Sequence, residues 1–142
     1  MHETIKHFIH KMRLLSLASI DDMAFNIKIP SQIPLSVYVA NAFYAFDEES
    51  LSLIIASDCN SKHVKLSLKH PNIAVNIAKD SKIALLKGVQ IKAVFEKASE
   101  AQKKIYLKRF IFARFAKTDF YALKIVWAKF TDNQLSEKIY FP

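Results

Sequence analysis

The sequence predicts a mainly β fold, an antiparallel barrel with helices at its periphery. Three observations predict it. Runs of alternating apolar residues recur along the chain, and most are joined by strings short enough for hairpins. Helical spacing is confined to a few short segments. No apolar run reaches the roughly 18 residues of a membrane-spanning helix. The count is about six or seven strands with three helices, and 142 residues suit a single domain, 1–142, with a core of its own.

Taken in order, Ile5, Phe8, Ile9 and Met12 repeat at helical spacing and place a short amphipathic helix near residues 3–12. The same stretch carries charge and histidine throughout and lacks the apolar centre of a secretion signal, so a cytoplasmic protein is expected. Leu14 to Ile20 reads as a first strand, closed by Asp21-Asp22. In residues 24–34, Pro30 and Pro34 exclude a central strand, while Phe25, Ile27 and Ile29 need cover. That stretch is expected to be a mobile or partner-contacting excursion near the barrel mouth.

Residues 35–46 alternate. Leu35, Val37, Val39, Asn41 and Phe43 share one face; Tyr38, Ala40, Ala42 and Tyr44 share the other. Asp47 to Ser50 turns the chain into a strand over 51–57, apolar on both faces and so covered on both sides. Val64 and Leu68 stand four apart and Pro71 ends the segment, which gives a helix over 61–69 that starts at a strand end. Ile73, Val75 and Ile77 alternate with Ala74, Asn76 and Ala78 in a further strand. Residues 83–97 read as one long strand, bent near Gly88, the only glycine of the chain, whose place inside a strand implies a bulge or a close approach. Ser99 with Gln102 forms a capping-box pattern at the head of a helix that runs to about Arg109. Residues 120–130 form a strand that places Trp127 on the Leu123–Ile125 side. Thr131-Asp132-Asn133 turns it into a last short strand over 135–141.

The formal net charge of +8 favours anionic partners. Of 21 cationic residues, however, only Arg13, Arg109 and Arg114 are arginine, the favoured reader of base edges. The lysines are scattered, so solvated faces are expected and sequence-specific nucleic-acid binding is not. No membrane partner is expected either. A single cysteine, Cys59, excludes an internal disulfide and a four-cysteine zinc site. The chain has no Gly-x-Ser-x-Gly elbow and no helical His-Glu-x-x-His. His7 and His10 lie a turn apart with no matching carboxylate beyond Glu3, so they read as a solvated helix face and no metal site is expected.

The start of the 61–69 helix, Asn60-Ser61-Lys62-His63, combines free backbone N–H groups, a hydroxyl and a positive charge, the parts of an anion cradle. Four strings in order carry a wider likeness: Val39 to Asp47, Ser57 to His63, Lys87 to Lys92 and Lys129 to Asn133. Together they resemble the FMN-binding split-barrel superfamily, best known from pyridoxamine phosphate oxidase, and most closely a small bacterial branch of it, over about residues 14–139. The resemblance implies a split β-barrel of Greek-key type, a homodimer with its site shared between two chains, FMN as cofactor, and a flavin-dependent oxidoreductase of unnamed substrate. A non-catalytic haem- or deazaflavin-binding protein of the same fold is the alternative.

By the same resemblance, Ser57, Ser61 and Lys62 belong to the segment that holds the FMN phosphate. His63 is a phosphate or substrate contact or a structural histidine. Asn41, Ala42 and Phe43 run along the flavin ring, and Gln90 faces its pyrimidine edge, where an amide can both donate and accept. No residue stands out as a catalytic acid or base. The chain departs from the family pattern at the 24–34 insertion and at Ser136-Glu137, where glycines are usual. It also lacks the phosphate-binding arginines of the second strand.

Overall fold

The apolar stripe of the N-terminal segment folds as helix α1 (Glu3–Lys11), headed by His2, whose Nδ1 accepts the Thr4 N–H at 3.1 Å. The computed structural model describes residues 1–22, 36–135 and 138–142. After α1 come β1 (Leu14–Asp21), β2 (Ser36–Asp47), β3 (Ser52–Ser57), α2 (Lys62–Lys69), β4 (Asn72–Lys79), β5 (Lys87–Lys97), α3 (Glu100–Arg109), β6 (Asp119–Asp132) and β7 (Ile139–Phe141). Two short 3-10 turns, Ile83–Leu85 and Ile111–Phe115, flank β5 and α3.

The strands form one antiparallel sheet in the order β3-β2-β1-β4-β5-β6-β7, and β3 also pairs with β6. That pairing closes six strands into a barrel, with β7 appended to β6. The chain leaves β3, crosses through α2 and returns as β4 beside β1, a Greek-key path. Strand alternation sends Leu15, Leu17, Tyr44, Leu53, Ile55, Ile77 and Val89 into one core. Helix α1 contributes Ile5, Phe8 and Ile9 to it, with Phe8 edge-on to Phe130 at 5.4 Å. Tyr44 Oη donates to the Ile9 carbonyl at 2.7 Å, a buried tie between helix and barrel.

Outside the barrel, α3 covers one wall. Its capping box is formed: the Gln102 N–H donates to Ser99 Oγ at 3.2 Å and the Ser99 N–H to Gln102 Oε1 at 2.9 Å. Tyr106 packs on Ala45, Ile54 and Ala122, so β3 is covered on both faces, as its sequence implies. Away from α3, Val37 and Val39 are exposed with no helix over them among the described residues; Leu14 and Phe43 are exposed as well, with the Phe43 ring beside Phe110 at the end of α3.

The structure corrects three expectations. The long strand over 83–97 begins only at Lys87; Ile83–Leu85 is a 3-10 turn with Ile83 exposed. Gly88 pairs in register with Ala78 and Thr131, so no bulge lies there, and the expected close approach does: a Cβ would stand 3.3 Å from the Ile77 carbonyl oxygen. The irregularity lies instead on β6. Lys92 pairs with Trp127 and Ala93 with Ile125, so Val126 is an extra residue, a β-bulge. A one-residue shift inverts facing, and Trp127 therefore leaves the Leu123–Ile125 side for the outer face. Thr131 and Asp132 also belong to β6, and the turn follows them. The 24–34 excursion, Leu35 and Ser136-Glu137 lie outside the described residues.

Replacing Tyr44 by Phe removes a buried hydrogen bond and leaves the Ile9 carbonyl without that donor. Unfolding by urea should show a loss of about 1–2 kcal/mol with an unchanged denaturant slope.

Candidate functional site

Register places one polar residue from each of five neighbouring strands in a row on the outer wall. Asn41 stands opposite Ser16, Ser16 opposite Asn76, Asn76 opposite Gln90, and Gln90 opposite Lys129. Ser16 Oγ donates to Asn41 Oδ1 at 2.9 Å. Two residues along the strands runs a second row: Val39, Ala18, Ala74, Lys92 and Trp127. The Lys92 ammonium lies 5.5 Å from the Trp127 ring centroid, so its stem lies along this apolar band and its charge caps the ring. Together the rows form an open pocket of about 410 Å³ whose lining includes Ser16, Ala18, Val39, Asn76, Gln90 and Trp127. One border donates and accepts hydrogen bonds through amides and a hydroxyl; the other is apolar and aromatic. That is the chemistry of a site for a planar ring with a polar edge.

The start of α2 is a second cluster. Ser57 Oγ and His63 Nε2 are hydrogen-bonded at 2.8 Å, and burial holds the His63 pKa below the usual imidazole range. The ring is therefore neutral at pH 7, with one nitrogen donating and the other accepting. Ser61 occupies the N-cap position without capping: its hydroxyl donates to the Asp58 carbonyl at 2.6 Å. The first-turn N–H groups of α2 thus receive no side-chain cap from it. Lys62 Nζ lies 2.8 Å from Oδ2 of Asp21, a nearly fully buried carboxylate at the end of β1, and 4.7 Å from the Tyr38 ring centroid. The other end of α2 is tied to the next residue of the chain: Lys69 and His70 meet Asp22 Oδ2 at 2.6 and 2.9 Å.

The structure thus brings the sequence-derived candidates together in two groups. Asn41 and Gln90 share the polar row of the pocket. Ser57, Ser61, Lys62 and His63 gather at the head of α2, with Ser61 and Lys62 already bonded to Asp58 and Asp21. Ala42 points to the interior and packs against the core. Phe43 is on the outer wall, its ring 5.9 Å from that of Phe110. Four participants escaped the sequence reading. Ser16 and Asn76 show up only through register, Trp127 only through the bulge, and Asp21 only through its pairing across the fold. Among the described residues, no group of three metal-ligating side chains could hold an ion; His10 meets Glu48 at 2.9 Å.

The pairs on Asp22 set a pH dependence. Hydrogen bonds from Lys69, then His70, depress its carboxyl from the ordinary 3.8 to about 2. A depressed carboxyl stabilises the fold above its unfolded pKa, and that contribution is lost as pH falls through the folded one. Native protein should therefore lose urea resistance between about pH 4 and pH 2, and Asp22→Asn should flatten that part of the profile. A profile of unchanged steepness in the variant would assign the acid limb to other carboxylates.

No protein-family model matches the chain. A UPF0306 protein of Campylobacter jejuni is 49% identical over 144 residues, which span 99% of this chain and 98% of that one. Among solved structures, a haem-binding protein from Mycobacterium smegmatis aligns with a TM-score of 0.73 at 10% identity, over 94% of this chain and 54% of the other. An FAD-binding protein from Mesorhizobium loti aligns with a TM-score of 0.66 at 16% identity, over 88% and 87%. At such identities the likeness is one of fold, the split barrel.

Proposed function

The chain belongs to the UPF0306 family, and from that premise we propose that it is an FMN-binding split-barrel protein, a flavin-dependent oxidoreductase whose substrate the geometry does not name. The observation that carries the reading is the pairing of an amide-and-hydroxyl row, Asn41, Ser16, Asn76 and Gln90, with the apolar band beside it. The pyrimidine edge of a flavin alternates acceptors with a donor, and side-chain amides match such an edge in either orientation. Val39, Ala18, Ala74 and Trp127 suit the apolar end of the ring. The pocket volume lies in the range of ligand sites generally.

The phosphate has a natural partner in the N–H groups at the head of α2, where Ser61 and Lys62 stand and where Ser57 and His63 support the turn. Asp21 beside Lys62 stands three strand positions beyond Ala18 in the pocket, about 10 Å along β1. A phosphate at that place competes with the Asp58 carbonyl for Ser61 and with Asp21 for Lys62. Bound FMN supplies the redox chemistry; these residues bind and orient it.

A second reading, a haem-binding protein without turnover, is favoured by the fold shared with the M. smegmatis protein. The pocket lining argues for flavin, since among the described residues it includes no His, Cys, Met or Tyr, the side chains that ligate haem iron. The exposed row Val37, Val39 and Phe43 next to the pocket supports a homodimer that completes the site across two chains.

Two measurements check these proposals. FMN titrated into the protein should quench its flavin fluorescence on binding. Hydrogen bonds to a charged group contribute about 1.5–3 kcal/mol, so Lys62→Ala should weaken binding about ten- to a hundred-fold, while Gln90→Ala should weaken it less and shift the reduction potential. Because Lys62 also faces buried Asp21, its variant should melt earlier too. A Soret band on haem addition, with no FMN binding by wild type, would select the second reading. In sedimentation, the protein should run as a dimer at micromolar concentration, with an interface above about 2,000 Å² in total; a monomer would remove the shared-site proposal.

A further inference from the structure

A second patch, on a segment the pocket does not use, has a different chemistry. The 3-10 turn Ile111–Phe115 carries three large apolar side chains into solvent: Phe112 is 87% exposed, Phe115 85% and Ile111 57%. Exposure of two phenylalanine rings to this degree, next to each other on one turn, has no folding rationale. The base of the turn is anchored. Phe110 packs on Tyr106 at 4.9 Å, and its N–H donates to the Tyr106 carbonyl at 2.9 Å. The turn closes on itself through Ala113 N–H to the Phe110 carbonyl at 3.1 Å. A fixed root therefore presents a projecting apolar tip.

The segment that carries the tip is cationic. From residue 101 to 118 the chain holds Lys103, Lys104, Lys108, Arg109, Arg114 and Lys117 and no acidic residue. Two of these are committed: Arg109 donates to the Met12 and Tyr44 carbonyls, and Lys103 lies over the Phe120 ring. The other four pair with no carboxylate among the described residues. Lys104, Lys108 and Arg114 border a groove floored by Leu107 and Ile111.

We propose that this segment docks the protein on an anionic lipid surface, with Phe112, Phe115 and Ile111 entering the headgroup–acyl boundary and Lys104, Lys108, Arg114 and Lys117 facing the lipid phosphates. Apolar side chains ringed by cations are the composition of interfacial anchors, and each cation adds attraction to an anionic leaflet. No described helix is long and apolar enough to cross a membrane, so the protein lies on the surface. Charge complementarity argues against a second copy as occupant, since two such tips would meet with like charge. Aliphatic Leu107 and Ile111 and rings that project as a tip suit an acyl boundary better than stacked bases. This departs from the expectation of no membrane partner, which weighed only spanning segments.

The test uses the full chain in flotation with phosphatidylcholine vesicles, with and without phosphatidylglycerol. Wild type should float only with the anionic vesicles, and salt should release it. Phe112→Ser/Phe115→Ser and Arg114→Glu/Lys117→Glu should each lower the bound fraction at least about ten-fold while circular dichroism and melting stay as in wild type, since these side chains are exposed. Equal flotation of wild type and both variants, or none with anionic vesicles, would overturn the proposal. So would a patch-dependent change of sedimentation, which would assign the tip to a second copy, or patch-dependent binding of poly(U) without vesicle binding, which would assign it to nucleic acid.

Discussion

The pairing of β3 with β6 is the contact on which the remainder depends. It runs from Ser52↔Lys124 to Ser57↔Asp119 and turns an open sheet into a closed barrel. Closure supplies partners to two edges that would otherwise offer unpaired backbone groups. It also defines an inside, so that strand alternation yields one core. Helix α3 lies over this seam, where Tyr106 covers Ile54 and Ala122. With the seam roofed, the opposite wall is left to the ligand pocket.

The second fastening is electrostatic. Helix α2 is held to the end of β1 and the residue after it by consecutive acidic residues, Asp21 to Lys62 and Asp22 to Lys69 and His70. The arrangement fixes where the head of α2 stands relative to the polar row, since Ser16 and Ala18 lie on the same strand as Asp21. A contact that drew Lys62 away would pull on the strand that lines the pocket, so the head of α2 and the pocket are mechanically connected through β1.

Much of this was legible from the chain. Period-2 patterning located β1, β2 and β4 and assigned the faces of β2, because one side of each meets the core, while β3 showed as an apolar run covered on both faces. The capping box of α3 was visible as two residues three apart. What escaped was what depends on distant partners. Ser16 and Asn76 look like ordinary outward strand residues until β1 and β4 are known to be neighbours. Asp22 reads as a turn residue, yet its partner His70 stands 48 positions away. Ile83 to Leu86 are apolar enough for a strand, but no neighbouring strand pairs with them. Gln90 was found from the resemblance, and its place in a row of five polar residues came only with register.

The bulge at Val126 makes the position of Trp127 a matter of counting. One additional residue in β6 shifts the phase of everything after it, so an indole that simple alternation would bury is delivered to the pocket wall instead. Deletion of Val126 would only erase the bulge, because the pairs on either side already match: Ile125 would stay inward opposite Ala93 and Trp127 outward opposite Lys92. What would turn the indole is a slide of β6 by one place that closed the bulge with Val126 retained. That slide would bring Trp127 inward and push Ala128 and Phe130 outward, both of them core residues. Burial of those two side chains therefore holds the bulge open, and the aromatic wall of the pocket rests on core packing two to four residues further along the strand.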